Sequence, residues 1–155
     1  MEQFGERMLP AEKRSVFQLY DEGFLVWCGA MVKADDGKYY LYFSFWPKEK
    51  GFNAWATHSM IGYAVSDDPL GPFQYGGIAL AGAGGHEWDG DCVHNPAVLK
   101  VDGKYYLYYM GNRGDGDFWS HRNSQRVGVA WADHPAGPFH RFDRPLIDAT
   151  SGSFD

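Results

Sequence analysis

The sequence predicts an all-β protein built from four-stranded antiparallel β-propeller blades, and a repeat carries this prediction. The string DGKYYLY occurs at Asp36–Tyr42 and again at Asp102–Tyr108, 66 residues later. A second motif, DDPLGPF at Asp67–Phe73 and DHPAGPF at Asp133–Phe139, has the same offset. A four-stranded antiparallel unit repeated head to tail is typical of a propeller. A simple antiparallel sandwich is the alternative architecture.

Each repeat is predicted to contain four strands separated by recognisable turns. The Asp-Gly pairs at 36–37 and 102–103 accommodate the positive φ of a hairpin turn, and the Pro-x-Gly-Pro motifs separate the last two strands. Helical periodicity is confined to one candidate, Met8–Leu19. The predicted strands are Phe24–Lys33, Tyr39–Phe45, Ile61–Ser66 and Phe73–Leu80, then Cys92–Lys100, Tyr105–Gly111, Val127–Ala132 and Phe139–Ile147.

The repeat also predicts the organisation of the chain. Residues 1–23 form an N-terminal segment, 24–87 a first blade and 88–153 a second blade. Because Trp88-Asp89 opens the second unit, Phe154-Asp155 falls where a third should open. We therefore expect residues 24–155 to be part of one catalytic-type domain.

Composition excludes several classes of partner. The net charge of −6, without a run of Lys or Arg, argues against a nucleic-acid partner, and no apolar stretch reaches the roughly 20 residues that span a membrane. Two cysteines without metal-ligand spacing predict neither a disulfide scaffold nor a metal site. Without a signal peptide the default location is the cytoplasm, or a secreted or periplasmic one if the true N-terminus precedes Met1.

Long connections are expected on one face of the blades, where binding and chemistry usually lie. They are Trp46–Met60, Ala81–Asp91 and Asn112–Arg126. The densest polar cluster, Glu87–Pro96, should bring carboxylates, an imidazole, an amide and an indole to the mouth of the central channel. Paired carboxyl groups there could act as acid and base on a glycosidic bond.

Individual residues carry two interpretations each. Asp89 and Asp91 are candidate catalytic carboxylates or turn caps, and His94 is a catalytic or orienting group or the partner of a backbone carbonyl. Trp88 is a sugar-stacking platform or a filler between blades, and Arg113 binds an acidic sugar or is solvated. The other candidate substrate-binding residues are Asn95, Trp46 and His58. At the 66-residue offset Cys28 aligns with His94.

The blades resemble those of the five-bladed β-propeller glycoside hydrolases, the broad group of families 43, 32, 62 and 117. The resemblance covers about residues 24–155 and is carried by DGKYYLY followed by GYAVSDDPLGPF, and by HNPAVLKVDGKYYLYYMGN followed by RVGVAWADHPAGPF. It is closer to family-43-like proteins, through Trp46-Pro47, the His58-Ser59 pair and Trp88-Asp89 followed by His94-Asn95-Pro96. A closed five-bladed ring would need roughly twice this length of chain.

The resemblance implies hydrolysis of glycosidic bonds in poly- or oligosaccharides, with no cofactor and no metal. Such enzymes typically use an Asp base, a second orienting Asp and a Glu acid, each from a different blade. A Glu commonly follows the His-Ser pair, where this chain has Met60. An acidic residue usually precedes the strand-start Pro, where this chain has Asn95, and the first blade has Gly29-Ala30. The alternatives are a non-catalytic carbohydrate-binding propeller and an inactive fragment that self-associates through open blade edges.

Overall fold

The computed structural model describes residues 15–149, and it confirms the all-β class and the four-stranded antiparallel unit. Two sheets follow one another along the chain, each with its strands in sequence order, and we call them blade 1 and blade 2. Blade 1 contains β1 (Phe24–Lys33), β2 (Tyr39–Pro47), β3 (Met60–Ser66) and β4 (Gln74–Leu80). Blade 2 contains β5 (Cys92–Val101), β6 (Lys104–Asn112), β7 (Arg126–Ala132) and β8 (His140–Arg141).

The first strands of the two blades are related by 67 residues rather than 66. Trp27 pairs with Ser44 in blade 1, whereas His94 pairs with Met110 in blade 2. The second strands keep the 66-residue offset, so the first hairpin of blade 1 holds one additional residue. The 66-residue offset of the motifs therefore holds for the residues after the first hairpin turn, and not for the first strand, which precedes that turn.

This register corrects the alignment of Cys28 with His94. The counterpart of Cys28 is Asn95, and the two share a left-handed backbone with φ of 54° and 52°. A non-glycine residue seldom adopts this conformation, so its occurrence at matching bulges marks them as equivalent. The blade 1 counterpart of Asn95-Pro96 is thus Cys28-Gly29, and not Gly29-Ala30.

The long connections contain short helices that the sequence did not predict. Helix α1 (Trp55–His58) lies between β2 and β3, after two 3-10 turns, and helix α2 (Phe118–Asn123) lies between β6 and β7. Asp117 caps α2, because its side chain accepts hydrogen bonds from the backbone N–H groups of the next turn. Such helices are too short to show periodicity. No helix among residues 15–149 is long and apolar enough to cross a membrane.

The structure differs from two further expectations, one about a helix and one about a strand. The helix candidate Met8–Leu19 lies mostly outside the described residues, and its described part, 15–19, is not helical. The last strand is shorter than Phe139–Ile147, since β8 ends at Arg141 and pairing resumes only at an isolated bridge between Val127 and Ile147. A bend at Asp143 and Arg144 separates β8 from this bridge.

The repeated tyrosines build the core between the blades. Tyr42 is fully buried, its hydroxyl donates to the carbonyl of Pro135, and its ring meets Phe139 edge-on at 5.9 Å. A strand of blade 1 thereby packs on the repeated turn of blade 2. The opposite face of blade 1 is covered by Leu19 and the chain before it, which pack on Phe43.

Candidate functional site

A cavity of about 270 Å³ lies where the first strands of the two blades begin. Aromatic side chains form most of its wall, and an imidazole, an amide and a hydroxyl form the rest. The lining residues are Trp27, Ser44, Trp46, Phe52, Trp55, His94 and Asn95. This arrangement is the usual one for a small-molecule site, mainly apolar with a few polar groups.

The aromatic wall combines one anchored ring with two open ones. Trp46 is buried, and its indole N–H donates to the carbonyl of Gly51 at 3.2 Å. The ring of Phe52 lies edge-on to Trp46 at 6.1 Å and to Trp27 at 5.8 Å. Trp27 and Phe52 remain 55 % and 57 % exposed, so their faces are accessible to a ligand.

His94 forms the deep polar part of the cavity. It is 2 % exposed and packs edge-on against Trp55 at 5.2 Å. Neither ring nitrogen has a hydrogen-bond partner among the described residues. Burial lowers the pKa of His94 to about 4, because the charged imidazolium loses its solvation there. The imidazole is therefore neutral at neutral pH, with one donor and one acceptor nitrogen.

Asn95 is held between the blades at the strand bulge. Its backbone N–H donates to Oγ of Ser44 at 2.8 Å, and its side-chain Oδ1 accepts from the thiol of Cys28 at 3.1 Å. These two contacts tie β5 to β2 and β1. The side chain stays exposed, so the amide is presented at a defined position on the cavity rim.

A buried polar network behind the cavity joins the two long connections. The amide nitrogen of Asn112 donates to the carbonyl of Ala56 in α1, and its Oδ1 lies 2.7 Å from Nδ1 of His121 in α2. The backbone N–H of Gly116 donates to Nε2 of His121, so Nδ1 carries the proton. The thiol of Cys92 also donates to Ala56. The network holds α1 in place and thereby positions Trp55.

Asp89 lies away from the cavity. It is 1 % exposed, and its Oδ2 accepts hydrogen bonds from the hydroxyl of Tyr109 at 2.8 Å and from Nε of Arg141 at 2.9 Å. Arg141 also donates to the carbonyl of Ala81. The carboxylate thus joins the outer strand of blade 2 to the connection between the blades. These contacts favour a structural role, and the catalytic one remains a prediction.

Asp91 and Trp88 also support the blade around them. The carboxylate of Asp91 accepts from the backbone N–H of Gly114 at 2.9 Å, although part of it remains exposed. Trp88 stacks on Tyr109 at 5.7 Å with 16° between the ring planes. A Cβ at Gly128 would come within 2.6 Å of the indole, so glycine there makes room for it.

His58 and Arg113 complete the predicted residues, and neither lines the cavity. His58 is exposed, with its Nδ1 2.7 Å from Oγ1 of Thr57. Arg113 lies 3.1 Å from Nδ1 of His86. Of the eight predicted residues, the cavity brings together Trp46, His94 and Asn95.

Sequence reasoning missed four cavity residues. Phe52 and Trp55 lie in the long connection after β2, whose aromatic content was the available signal. Trp27 is the blade 1 counterpart of His94, a relation that the 66-residue offset conceals. Ser44 lies within the predicted second strand and gave no signal of its own.

The cavity contains polar groups but no charged side chain among the described residues that line it. Within residues 15–149, no three His, Cys, Asp or Glu side chains are placed to hold a metal ion. Flat aromatic faces beside a donor and an acceptor suit a ligand with C–H faces and hydroxyl edges, as a sugar ring has.

Comparisons with known proteins identify the fold. No protein-family model matches the chain, and a search of the curated proteins found no relative. Among solved structures, the family 117 glycoside hydrolase Zg3597 of Zobellia galactanivorans is similar at 25 % identity and a TM-score of 0.60, over 78 % of this chain and 38 % of that one. The family 43 β-xylosidase/α-arabinofuranosidase CoXyl43 from a compost microbial metagenome, in complex with xylotriose, is similar at 25 % identity and 0.59, over 78 % and 35 %.

A third similarity extends the same result. The GH43_1 enzyme of Xanthomonas citri matches at 22 % identity and a TM-score of 0.58, over 78 % of this chain and 33 % of its own. The chain spans a little over a third of the length of the first two structures. The resemblance indicated by the repeated motifs is confirmed at the level of fold: the two blades are similar to those of the β-propeller glycoside hydrolases of families 117 and 43.

Proposed function

We propose that this protein is a glycoside hydrolase-like protein that acts on poly- or oligosaccharides and holds a sugar ring in its aromatic cavity. The observation that carries the proposal is the cavity itself, three indoles and a phenyl ring around an imidazole and an amide. Its position at the start of the first strands agrees with the similarity to glycoside hydrolase propellers.

The aromatic and the polar side chains of the cavity wall would bind different parts of a sugar ring. The exposed faces of Trp27 and Phe52 remove the apolar C–H face of a sugar from water, which is favourable in proportion to the area covered. The exposed amide of Asn95 then meets the hydroxyl edge. Because Trp46 and Trp55 are already packed, little side-chain freedom is lost on binding.

Most glycoside hydrolases use a pair of carboxyl groups that flank the scissile bond. Of the two predicted carboxylates, Asp91 is the better candidate, because its side chain is 37 % exposed and that of Asp89 is 1 % exposed. Asp91 also directly precedes β5, the strand that carries His94. We assign it as a catalytic carboxylate in this proposal.

A second candidate function is carbohydrate binding without hydrolysis. It is favoured by the absence of Asp and Glu among the described residues that line the cavity. Asn95 and Met60, at positions where the related pattern has acidic residues, point the same way.

A matched pair of tryptophans tests the cavity. Trp27 lines it and is 55 % exposed, whereas Trp119 lies outside it and is 60 % exposed. With xylotriose, arabinotriose and galactotriose as probes in calorimetry, Trp27→Ala should weaken binding at least about tenfold, the effect of about 1.4 kcal/mol. Trp119→Ala should leave binding unchanged. Equal loss in both variants, or no binding to the wild type, would contradict the proposal.

Chromatography of the same mixtures separates the two candidate functions. Release of shorter sugars by the wild type, lost in Asp91→Asn with binding retained, is expected for a hydrolase. Binding without product at any incubation time would leave the second candidate. Product formation unaffected in Asp91→Asn would remove Asp91 from the assignment.

A further inference from the structure

The contact between the two blades is built in part by a repeated turn. The turn of blade 2, residues 133–139, packs on Tyr42 of blade 1. Pro135 of this turn is buried, and its carbonyl accepts a hydrogen bond from the Tyr42 hydroxyl. Ala136, the next residue, packs against the same core. This contact shows what kind of surface covers the tyrosine face of a blade in this protein.

The tyrosine half of this contact occurs a second time, in blade 2. Tyr108 is the counterpart of Tyr42, and it is only half-buried. It lies on the face of β6 that points away from blade 1, because side chains alternate along a strand and Leu107 packs toward blade 1. A groove of about 550 Å³ opens beside it, with Phe142 and Leu146 in its wall.

The turn half also occurs a second time, in blade 1. Residues 67–73 repeat the motif of the docked turn. Pro69 is the counterpart of Pro135, and it is exposed where Pro135 is buried. Leu70 is the counterpart of Ala136, and it is 53 % exposed. The chain therefore has a free tyrosine face and a free turn of the kind that covers such a face.

The charges beside the contact repeat in the same way. Lys100 of β5 forms an ion pair with Asp35 of the first hairpin of blade 1, which joins the two blades. Lys33 holds the place in β1 that Lys100 holds in β5. The hairpin of blade 2 has one acidic residue, Asp102. Both Lys33 and Asp102 are exposed, so a cation and an anion accompany the free turn and the free tyrosine face.

We propose that a second copy of this chain covers the Tyr108 groove with its free turn, so that copies associate head to tail. The Tyr108 hydroxyl of one copy donates to the carbonyl of Pro69 in the other, and Leu70 fills the groove. Lys33 and Asp102 form the ion pair between the copies. Two different surfaces meet, so a dimer still has one free groove and one free turn.

The contact between copies is smaller than the one between the blades. Leu19 packs on Phe43 and covers the sheet beside the free turn, so the docked surface is limited to the turn and its surroundings. The groove wall contains both Arg144 and Asp143, and it therefore does not repel the acidic turn as a whole. A small interface of this kind predicts weak and reversible association.

Sedimentation velocity of single and mixed variants of the full chain tests the arrangement. Leu70→Lys charges the turn and leaves the groove intact, whereas Leu146→Lys charges the groove and leaves the turn intact. Each variant alone should associate at least about tenfold more weakly than the wild type. An equimolar mixture should form a dimer with one copy of each, because each variant keeps the surface that the other has lost. Trp119→Lys, outside both surfaces, should associate as the wild type does.

Three outcomes would overturn the proposal. The first is a wild type that is monomeric at every concentration. The second is association of Leu70→Lys equal to that of the wild type, which is the result expected for a symmetric pairing of two grooves. The third is a mixture of the two variants that stays monomeric although the wild type associates.

A charge exchange gives a second test that leaves the apolar surfaces unchanged. Lys33→Glu should weaken association about fivefold, because two acidic residues would then meet between the copies. Adding Asp102→Lys to the same chain should restore it. All the substituted positions are exposed, so the fold should be retained, and the charge exchange decides if either leucine variant does not fold. No loss in Lys33→Glu, or no recovery in the double variant, would overturn the proposed arrangement.

Discussion

At the scale of single residues, burial decides the protonation state of the groups around the cavity. His94 lies against Trp55 with no charged side chain among the described residues of the cavity wall. The imidazolium form has nothing there to replace its hydration. The same burial that lowers the pKa therefore keeps the imidazole neutral and covers both of its nitrogens.

The depressed pKa of His94 predicts a dependence of stability on pH. The pKa falls from an ordinary 6.5 to about 4 in the folded protein, so the unfolded chain binds the proton first on acidification. The stabilisation by the neutral form is complete above pH 6.5 and is lost as the pH falls to about 4, by roughly 3 kcal/mol in total. Urea unfolding at several pH values should show it as a difference between the wild type and His94→Gln that narrows on acidification. A constant difference would contradict the assignment.

The two thiols are predicted to react differently. Burial raises the pKa of both thiols, to about 12 for Cys92, but Cys28 is exposed and Cys92 is buried. Because the thiolate is the reactive form, a disulfide reagent at pH 8 should label one thiol of the folded protein, and slowly. The variant Cys28→Ser should show no labelling until urea is added. Two rapidly labelled thiols in the native protein would be inconsistent with this structure.

At the scale of elements, the short helices owe their position to buried hydrogen bonds rather than to their own length. Helix α1 has four residues and α2 has six, fewer than an isolated helix needs. Asn112 joins them, because it binds Ala56 of the first and His121 of the second. The aromatic cavity therefore depends on one amide at the end of β6.

Replacing that amide should destabilise the protein strongly. In Asn112→Leu the carbonyl of Ala56 and the N–H of His121 lose a partner in a buried site, which should cost roughly 2–4 kcal/mol. Asn123→Leu, an exposed position at the end of α2, is the control and should change stability by less than about 0.5 kcal/mol. Equal unfolding midpoints for the two variants would show that the network contributes nothing.

At the scale of the whole molecule, the two blades carry equivalent tyrosine faces, and only one of these faces is covered by a neighbouring blade. Tyr42 of blade 1 is buried against the turn of blade 2. Its counterpart in blade 2, Tyr108, is only partly buried and lines a groove of about 550 Å³ with Phe142 and Leu146, which are 48 % and 60 % exposed. An apolar surface of this kind is typical of an interaction site.

Self-association through that groove is the expected outcome in solution. Sedimentation velocity should show a weight-average mass that rises with concentration. Leu146→Lys should suppress the rise, because it places a charge on the apolar face, whereas Trp119→Lys, equally exposed but outside the groove, should not. A single monomeric species for the wild type at every concentration would contradict this expectation.

The sequence by itself determined the blades, because the signals for them are local. Asp36-Gly37 and the alternation in DGKYYLY act on neighbouring residues, and the repeat displays each signal twice. It also predicted three cavity residues, Trp46, His94 and Asn95.

Only the tertiary structure decided the rest. Asp89 meets Tyr109 and Arg141 across 20 and 52 residues, contacts that no spacing reveals. One additional residue in the first hairpin makes Trp27 the blade 1 counterpart of His94, because strand register follows the turn that closes it.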